Sequence, residues 1–162
     1  METNAITTVT LVNGRYDFDT SNPSGSPSVI LNEVRYGNLT MSGQLDAVVV
    51  LSYHTGGTAY WHYVYAFSTA SGNPKFLGWV QMGSRANFGL YHVRVANGEF
   101  IFDLFDPTKR EADCCSTGFV RTTYLWKDGK FTQAGPQEFG RVDNQRLRKS
   151  MVSSTASRFS GP

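Results

Sequence analysis

Apolar and polar residues alternate in short runs as far as residue 133, the period-two pattern that sends successive side chains to opposite faces of a strand. The runs predict strands over Thr7 to Val12, Ser28 to Tyr36, Asp46 to Tyr53, Ala59 to Phe67, Lys75 to Met82, Tyr91 to Ala96, Phe100 to Phe105, Gly118 to Trp126 and Phe131 to Gln133. Between them stand residues that reverse a chain: Gly56-Gly57, Ser71-Gly72-Asn73-Pro74, Asn97-Gly98 and Asp128-Gly129. Asn-Gly and Asp-Gly between alternating runs are the strongest hairpin signals, because the tightest hairpin turn needs positive φ at both central residues. The Ser-, Gly- and Pro-rich run from Thr20 to Pro27 suits neither ladder nor helix and reads as a loop.

The expected fold is mainly β: a single domain of antiparallel strands, as a curved sheet, sandwich or open barrel, with at most a short C-terminal helix. The β-rich domain is placed at residues 1–135. Beyond Gly135 the pattern changes: Gln137 to Val152 has few apolar residues, carries the basic cluster Arg146-Leu147-Arg148-Lys149, and has room for a short helix. Residues 136–162 are read as a polar, basic tail whose small last residues, Ser153 to Pro162, are expected to be disordered or to order only against a partner.

Composition sharpens this picture. The 162 residues suit one core, and with 14% aromatic but 17% charged residues, rings carry much of the apolar volume. The balance of 15 Lys and Arg against 13 Asp and Glu is too even for a nucleic-acid footprint, so no nucleic-acid partner is expected. The longest apolar run, Ala47 to Leu51, is far below the ~18 residues that span a bilayer, so no membrane span is expected. Met1 to Ala5 lacks the basic and apolar regions of a leader.

The most patterned stretch is Gly37 to Leu51. Asn38, Thr40 and Ser42 put side-chain oxygens at alternate positions, Gly43 follows as a turn residue, and Asp46 precedes Ala47-Val48-Val49-Val50-Leu51. This is the spacing of a calcium loop with most of its acids gone, since Asp46 alone could supply a carboxylate. The expectation is a vestigial loop, a hydrogen-bonded turn that launches a strand, with no metal and no cofactor. The stretch resembles the Gly-Asp-Leu-Asn/Asp-Gly-Asp-Gly-x-x-Asp-Ala-Val-Val-Leu element of FG-GAP/VCBS-type segments. The order of further motifs resembles a group of bacterial envelope proteins and lipoproteins that includes the mycobacterial LppP/LprE type. Those motifs are Thr55-Gly56-Gly57-Thr58 leading into Tyr60 to Phe67, then Gly83-Ser84-Arg85, Asn97-Gly98, and Cys114-Cys115 ahead of Arg121-Thr122-Thr123-Tyr124. The resemblance runs from about Leu31 to Trp126. Its departures are the lost acids of the loop and Ser84 in place of an acidic turn residue. It implies an extracytoplasmic location and carries no assigned activity.

Cys114 and Cys115 are the only cysteines, leaving a vicinal disulfide, two thiols, half a metal site or bonds to another chain. The oxidising compartment implied by the resemblance favours the vicinal disulfide.

In Tyr60 to Phe67 the strand period places Trp61, Tyr63, Tyr65 and Phe67 on one face and Tyr60, His62, Val64 and Ala66 on the other. The ring face is expected to be the packed side of a sheet; an exposed row of tyrosines would instead make an adhesive surface. His54, His62 and His92 have no ligand spacing and no nucleophile motif nearby, so they read as structural or surface residues. Asp103, Asp106, Glu111 and Asp113, with Lys109 and Arg110, read as a solvated, salt-bridged loop. No catalytic residues are assigned. The function expected is a non-enzymatic accessory domain that binds another protein, possibilities for binding being Trp61, Tyr63, Tyr65, Arg85 and the tail residues Arg146, Arg148 and Lys149. A small-molecule or glycan binder using the ring face is the alternative, and a hydrolase using His54 or His92 with the acidic loop stands third.

Overall fold

A computed structural model of the chain describes residues 8–22, 25–57, 60–69, 71–83, 89–96, 98–112 and 115–142. These form twelve strands and one turn of 3-10 helix, Pro107–Lys109. The protein is mainly β, built from two antiparallel sheets and a short two-stranded ribbon, and neither sheet closes into a barrel.

The first sheet is a meander in sequence order: β1 (Arg15–Asp17), β2 (Ser28–Gly37), β3 (Asp46–His54), β4 (Tyr60–Ser68) and β5 (Lys75–Gln81). The second is centred on β7 (Glu99–Phe105) and β10 (Gly118–Lys127), with β6 (Leu90–Ala96) on the far side of β7. The opposite edge of β10 is shared: β11 (Lys130–Gln133) pairs with Tyr124–Lys127, and β12 (Glu138–Arg141) pairs with Gly118–Arg121. The ribbon joins β8 (Arg110–Ala112) to β9 (Cys115–Ser116).

Both expected hairpins form. Lys127 pairs with Lys130 across Asp128 and Gly129, which have φ of 53° and 77°, the left-handed pair that matches strand twist. Ala96 pairs with Glu99 around Gly98, at φ 78°. Two expectations shift. The run Thr7 to Val12 contributes only an isolated bridge from Val12 to Arg15 among its described residues, because Asn13 and Gly14 turn the chain at positive φ and the paired strand starts after them. The chain also stays in the sheet beyond residue 135: Glu138–Arg141, within the segment read as a tail with a helix, is a strand. β11 covers only one half of the β10 edge, and the exposed donors and acceptors of the other half are satisfied by β12.

The core lies between the sheets. Val48 and Val50 of β3 and Val64 and Ala66 of β4 meet Val93, Phe100 and Phe102 of the second sheet, and Leu39 closes one end. Size complementarity sets which face of β4 turns inward: Phe100, Phe102, Phe131 and Trp126 already bring rings into this space, leaving room for small aliphatic side chains opposite them.

Candidate functional site

That packing turns the ring row of β4 outward, correcting the expectation that it is the core side of the sheet. The register carries the apolar surface across neighbouring strands. Tyr65 sits opposite Val49 on one side and Trp79 on the other; Phe67 sits opposite Ala47 and Phe76; Tyr63 sits opposite Leu51 and Gln81. Beyond β3, Val34 lies opposite Val49 and Tyr36 opposite Ala47. Tyr16, paired with Val29, and Phe18 extend the surface past β2, the Phe18 ring lying 6.2 Å from that of Tyr53.

The rings support one another. Trp79 lies 6.0 Å from Tyr63 and 6.5 Å from Tyr65 between ring centroids, and Phe76 lies 6.4 Å from Tyr65 and 5.7 Å from Phe67. Tyr36, Phe76 and Trp79 are 63%, 51% and 52% exposed, while Tyr63, Tyr65 and Phe67 are half-buried. Burial, with Tyr63 adding to it, raises the pKa of Tyr65 above the ordinary phenol value. None of the residues just placed on the face is acidic or basic. Four strand spacings by about seven residues give a projected area on the order of 450 Å². That lies within the range of about 300–600 Å² for the largest apolar patch on a typical monomer, a patch that is often functional.

The Gly37 to Asp46 loop turns its polar groups onto itself. Asp46, 1% exposed, accepts hydrogen bonds at Oδ2 from the Thr40 backbone N–H at 2.6 Å and the Thr40 hydroxyl at 2.9 Å. The Asn38 side-chain oxygen accepts from Gly43 N–H at 3.3 Å, and the Thr40 oxygen, its own proton given to Asp46, accepts from the Ser42 hydroxyl at 3.1 Å. Asn38 Oδ1, the Thr40 and Ser42 hydroxyls and Asp46 Oδ2 are thus engaged in holding the turn, while Asp46 Oδ1 is buried without a hydrogen-bond partner. No group of three or more His, Cys, Asp and Glu side chains that could hold a metal occurs among the described residues. The loop seats fully buried Leu39 in the core, and Met41 reaches the β6–β7 turn at Gly98.

Two acids of the segment read as a solvated loop, Asp103 and Asp106, are buried instead; Lys109 is exposed, and Asp113 with the side chains of Arg110 and Glu111 lies outside the described residues. Asp103, with its side chain 5% exposed, accepts from Arg121 Nε at 2.7 Å and from Nη2 at 2.9 Å; His92 Nδ1 lies 3.8 Å from the same carboxylate. The pairing raises the Arg121 pKa still further. Asp106 is also buried and caps the 3-10 turn, accepting from Thr108 N–H at 2.8 Å and its hydroxyl at 2.7 Å. Their positions at the β7 end and just beyond it, against β10, enclose both acids. Arg85, Cys114, Arg146, Arg148 and Lys149, with all of residues 143–162, lie outside the described residues, as does the Cys115 side chain.

One grouping had no signal in the linear pattern. His54, His62 and His92 all line a cleft of about 550 Å³ between the inner face of the first sheet and the edge strand β6. Ser52, directly opposite His62, donates from its hydroxyl to Asn32 Oδ1 at 3.2 Å, and Arg35 and Glu33 pair at 2.6 Å on the same wall. Burial holds His62 below its ordinary value against a hydrogen bond with Gly83, and nearby His54 lowers it further. Burial likewise lowers His92, opposed by Asp103 and Glu33 and assisted by Arg35 and Arg94. The cleft draws on β2, β3, β4 and β6, segments up to 62 residues apart from Ile30 to His92, so spacing could not reveal it. No protein-family model, curated protein or solved structure matches this chain.

Proposed function

We propose that the chain is a non-enzymatic accessory domain, working outside the cytoplasm, that binds another protein through the outer face of its five-stranded sheet. The observation that carries this reading is the continuous apolar and aromatic surface formed by Tyr36, Val49, Tyr63, Tyr65, Phe76 and Trp79. Its cross-strand pairs stabilise the sheet by at most about 1 kcal/mol each, whereas a contiguous apolar face held open to water is a mark of an interaction surface. Tyrosine and tryptophan at the centre of such a face are the residues that dominate binding energy at protein interfaces. Because the face lacks acidic and basic groups, the partner it fits presents an apolar patch that desolvates without leaving a charge unpaired. The rings lean on one another, which suits a continuous protein surface better than separate sugar-stacking faces. The extracytoplasmic placement rests on the envelope-protein resemblance.

The test is cross-linking followed by mass spectrometry in the native compartment, comparing the wild type with Phe76→Ser/Trp79→Ser. Both rings lie about half exposed on edge strand β5, so the variant is expected to keep its fold. Partner cross-links should map to this face and disappear in the variant. Cross-links retained in a folded variant overturn the reading, and a concentration-dependent dimer abolished by the same substitutions would replace the hetero-partner with a second copy.

A further inference from the structure

The inner face of the first sheet changes character along its length. In β3 the inward positions are Asp46, Val48, Val50, Ser52 and His54, and in β4 they are His62, Val64, Ala66 and Ser68. Val48, Val50, Val64 and Ala66 sit under the second sheet. Towards the His54 end the inward positions become Ser52, His54 and His62, although an interior strand position ordinarily carries an apolar residue. A bulge between Leu31 and Glu33 interrupts the β2–β3 register there, and Asn32 joins the same wall through its bond with Ser52. Departures from the strand pattern that converge on one concave space are where function overrides folding preference.

We propose that this cleft is a second binding site, separate from the outer ring face, for a neutral polyhydroxylated ligand of the sugar class. Three features of the lining select that chemistry. Its one acid and one base, Glu33 and Arg35, neutralise each other at 2.6 Å, so the wall offers no unpaired formal charge to a carboxylate or an amine. Its remaining polar groups, Ser52, Asn32 and the imidazoles, include both donors and acceptors, as a ring of hydroxyls requires. Its apolar parts, Ile30 and Leu90, offer contact to the C–H face of a pyranose, and 550 Å³ lies within the range of about 300–1,000 Å³ usual for small-molecule sites. A wholly apolar ligand would strip the polar wall of solvent without replacing its hydrogen bonds.

The experiment is an NMR titration following the imidazole C–H signals of His54, His62 and His92 in the intact chain. The probes are neutral pyranosides (methyl glucoside, methyl galactoside, N-acetylglucosamine and maltose), with glucuronate and glucosamine as charged counterparts. At least one neutral probe should shift the histidine signals saturably with a Kd of about 1 mM or tighter. Ser52→Ala should weaken that binding about tenfold. Phe76→Ser/Trp79→Ser, altered only on the outer face, should leave it unchanged. No saturable shift with any neutral probe to about 10 mM overturns the proposal, as does tighter binding of glucuronate or glucosamine. An adverse result from Ser52→Ala is read only where its histidine signals match the folded protein; the wild-type titration stands without it.

Discussion

Asp103 is a carboxylate enclosed by the second sheet, and two bonds from Arg121 balance its charge. Removing one member of such a pair strands the other, which costs more than the pair contributes as a unit. Arg121→Met should therefore destabilise by about 3 kcal/mol in urea unfolding, and adding Asp103→Asn should restore most of the loss. His62 gives a pH dependence of fixed sign. Its folded pKa lies below the ordinary value near 6.5, chiefly through burial, so the unfolded chain takes up a proton more readily. Stability from this group is present above about pH 6.5 and is lost as pH falls through the interval down to the lowered folded pKa. His92, lowered by its own burial, acts in the same direction. Unfolding midpoints measured from pH 7.5 to 5 should fall, and His62→Gln should flatten the decline without abolishing it. In the sequence Asp103 stands among acids and bases that resemble a solvated loop, and Arg121, eighteen positions on, carries no mark of being its partner. Strand register brings them opposite each other.

At the scale of elements, one contact sets how closely the sheets approach and another completes the edge of the second sheet. Gly37 ends β2 where a Cβ would lie 2.5 Å from Val95 Cγ1 and 2.8 Å from Val95 Cβ, on strand β6. Gly37→Ala should cost about 2 kcal/mol by overpacking, and Gly37→Ala with Val95→Ala should be less destabilised than the two single losses added together, as a double-mutant cycle would report. β12 completes the uncovered half of the β10 edge, and Val142, just after it, is buried and bonded from its N–H to the Thr117 carbonyl at 3.1 Å. Ending the chain at residue 135 should expose that edge and lower unfolding free energy by about 2–4 kcal/mol, with faster hydrogen exchange at Gly118–Arg121. The strands with long alternating runs, β3, β4 and β10, were legible because each keeps its period, and β2 was legible from its length and turn boundaries in spite of its bulge. β1, β8, β9 and β12 were not, being two to four residues long and held by neighbours' edges instead of by any pattern of their own.

For the molecule as a whole, the unresolved issue in the pattern was which side of the aromatic strand is the inside. Both faces of the first sheet are apolar over much of their area, so alternation marks two faces and leaves their assignment to volume. The second sheet supplies the bulky rings, and the small side chains Val64 and Ala66 accommodate them, which sends Tyr63 and Tyr65 outward. The native protein should accordingly bind a hydrophobic dye such as ANS without denaturant, and Phe76→Ser/Trp79→Ser should remove most of the signal while the unfolding transition stays cooperative. The mainly β class, both tight hairpins and the turn before β3 follow from local chemistry: alternation, Asn-Gly and Asp-Gly turns, and short polar side chains that bond their own backbone. The outward ring face, the enclosed Asp103–Arg121 pair and the cleft shared by the three histidines follow from none of these. They depend on which strands become neighbours and how two sheets fill the space between them, and those relations join residues far apart in the chain through packing that no local period encodes.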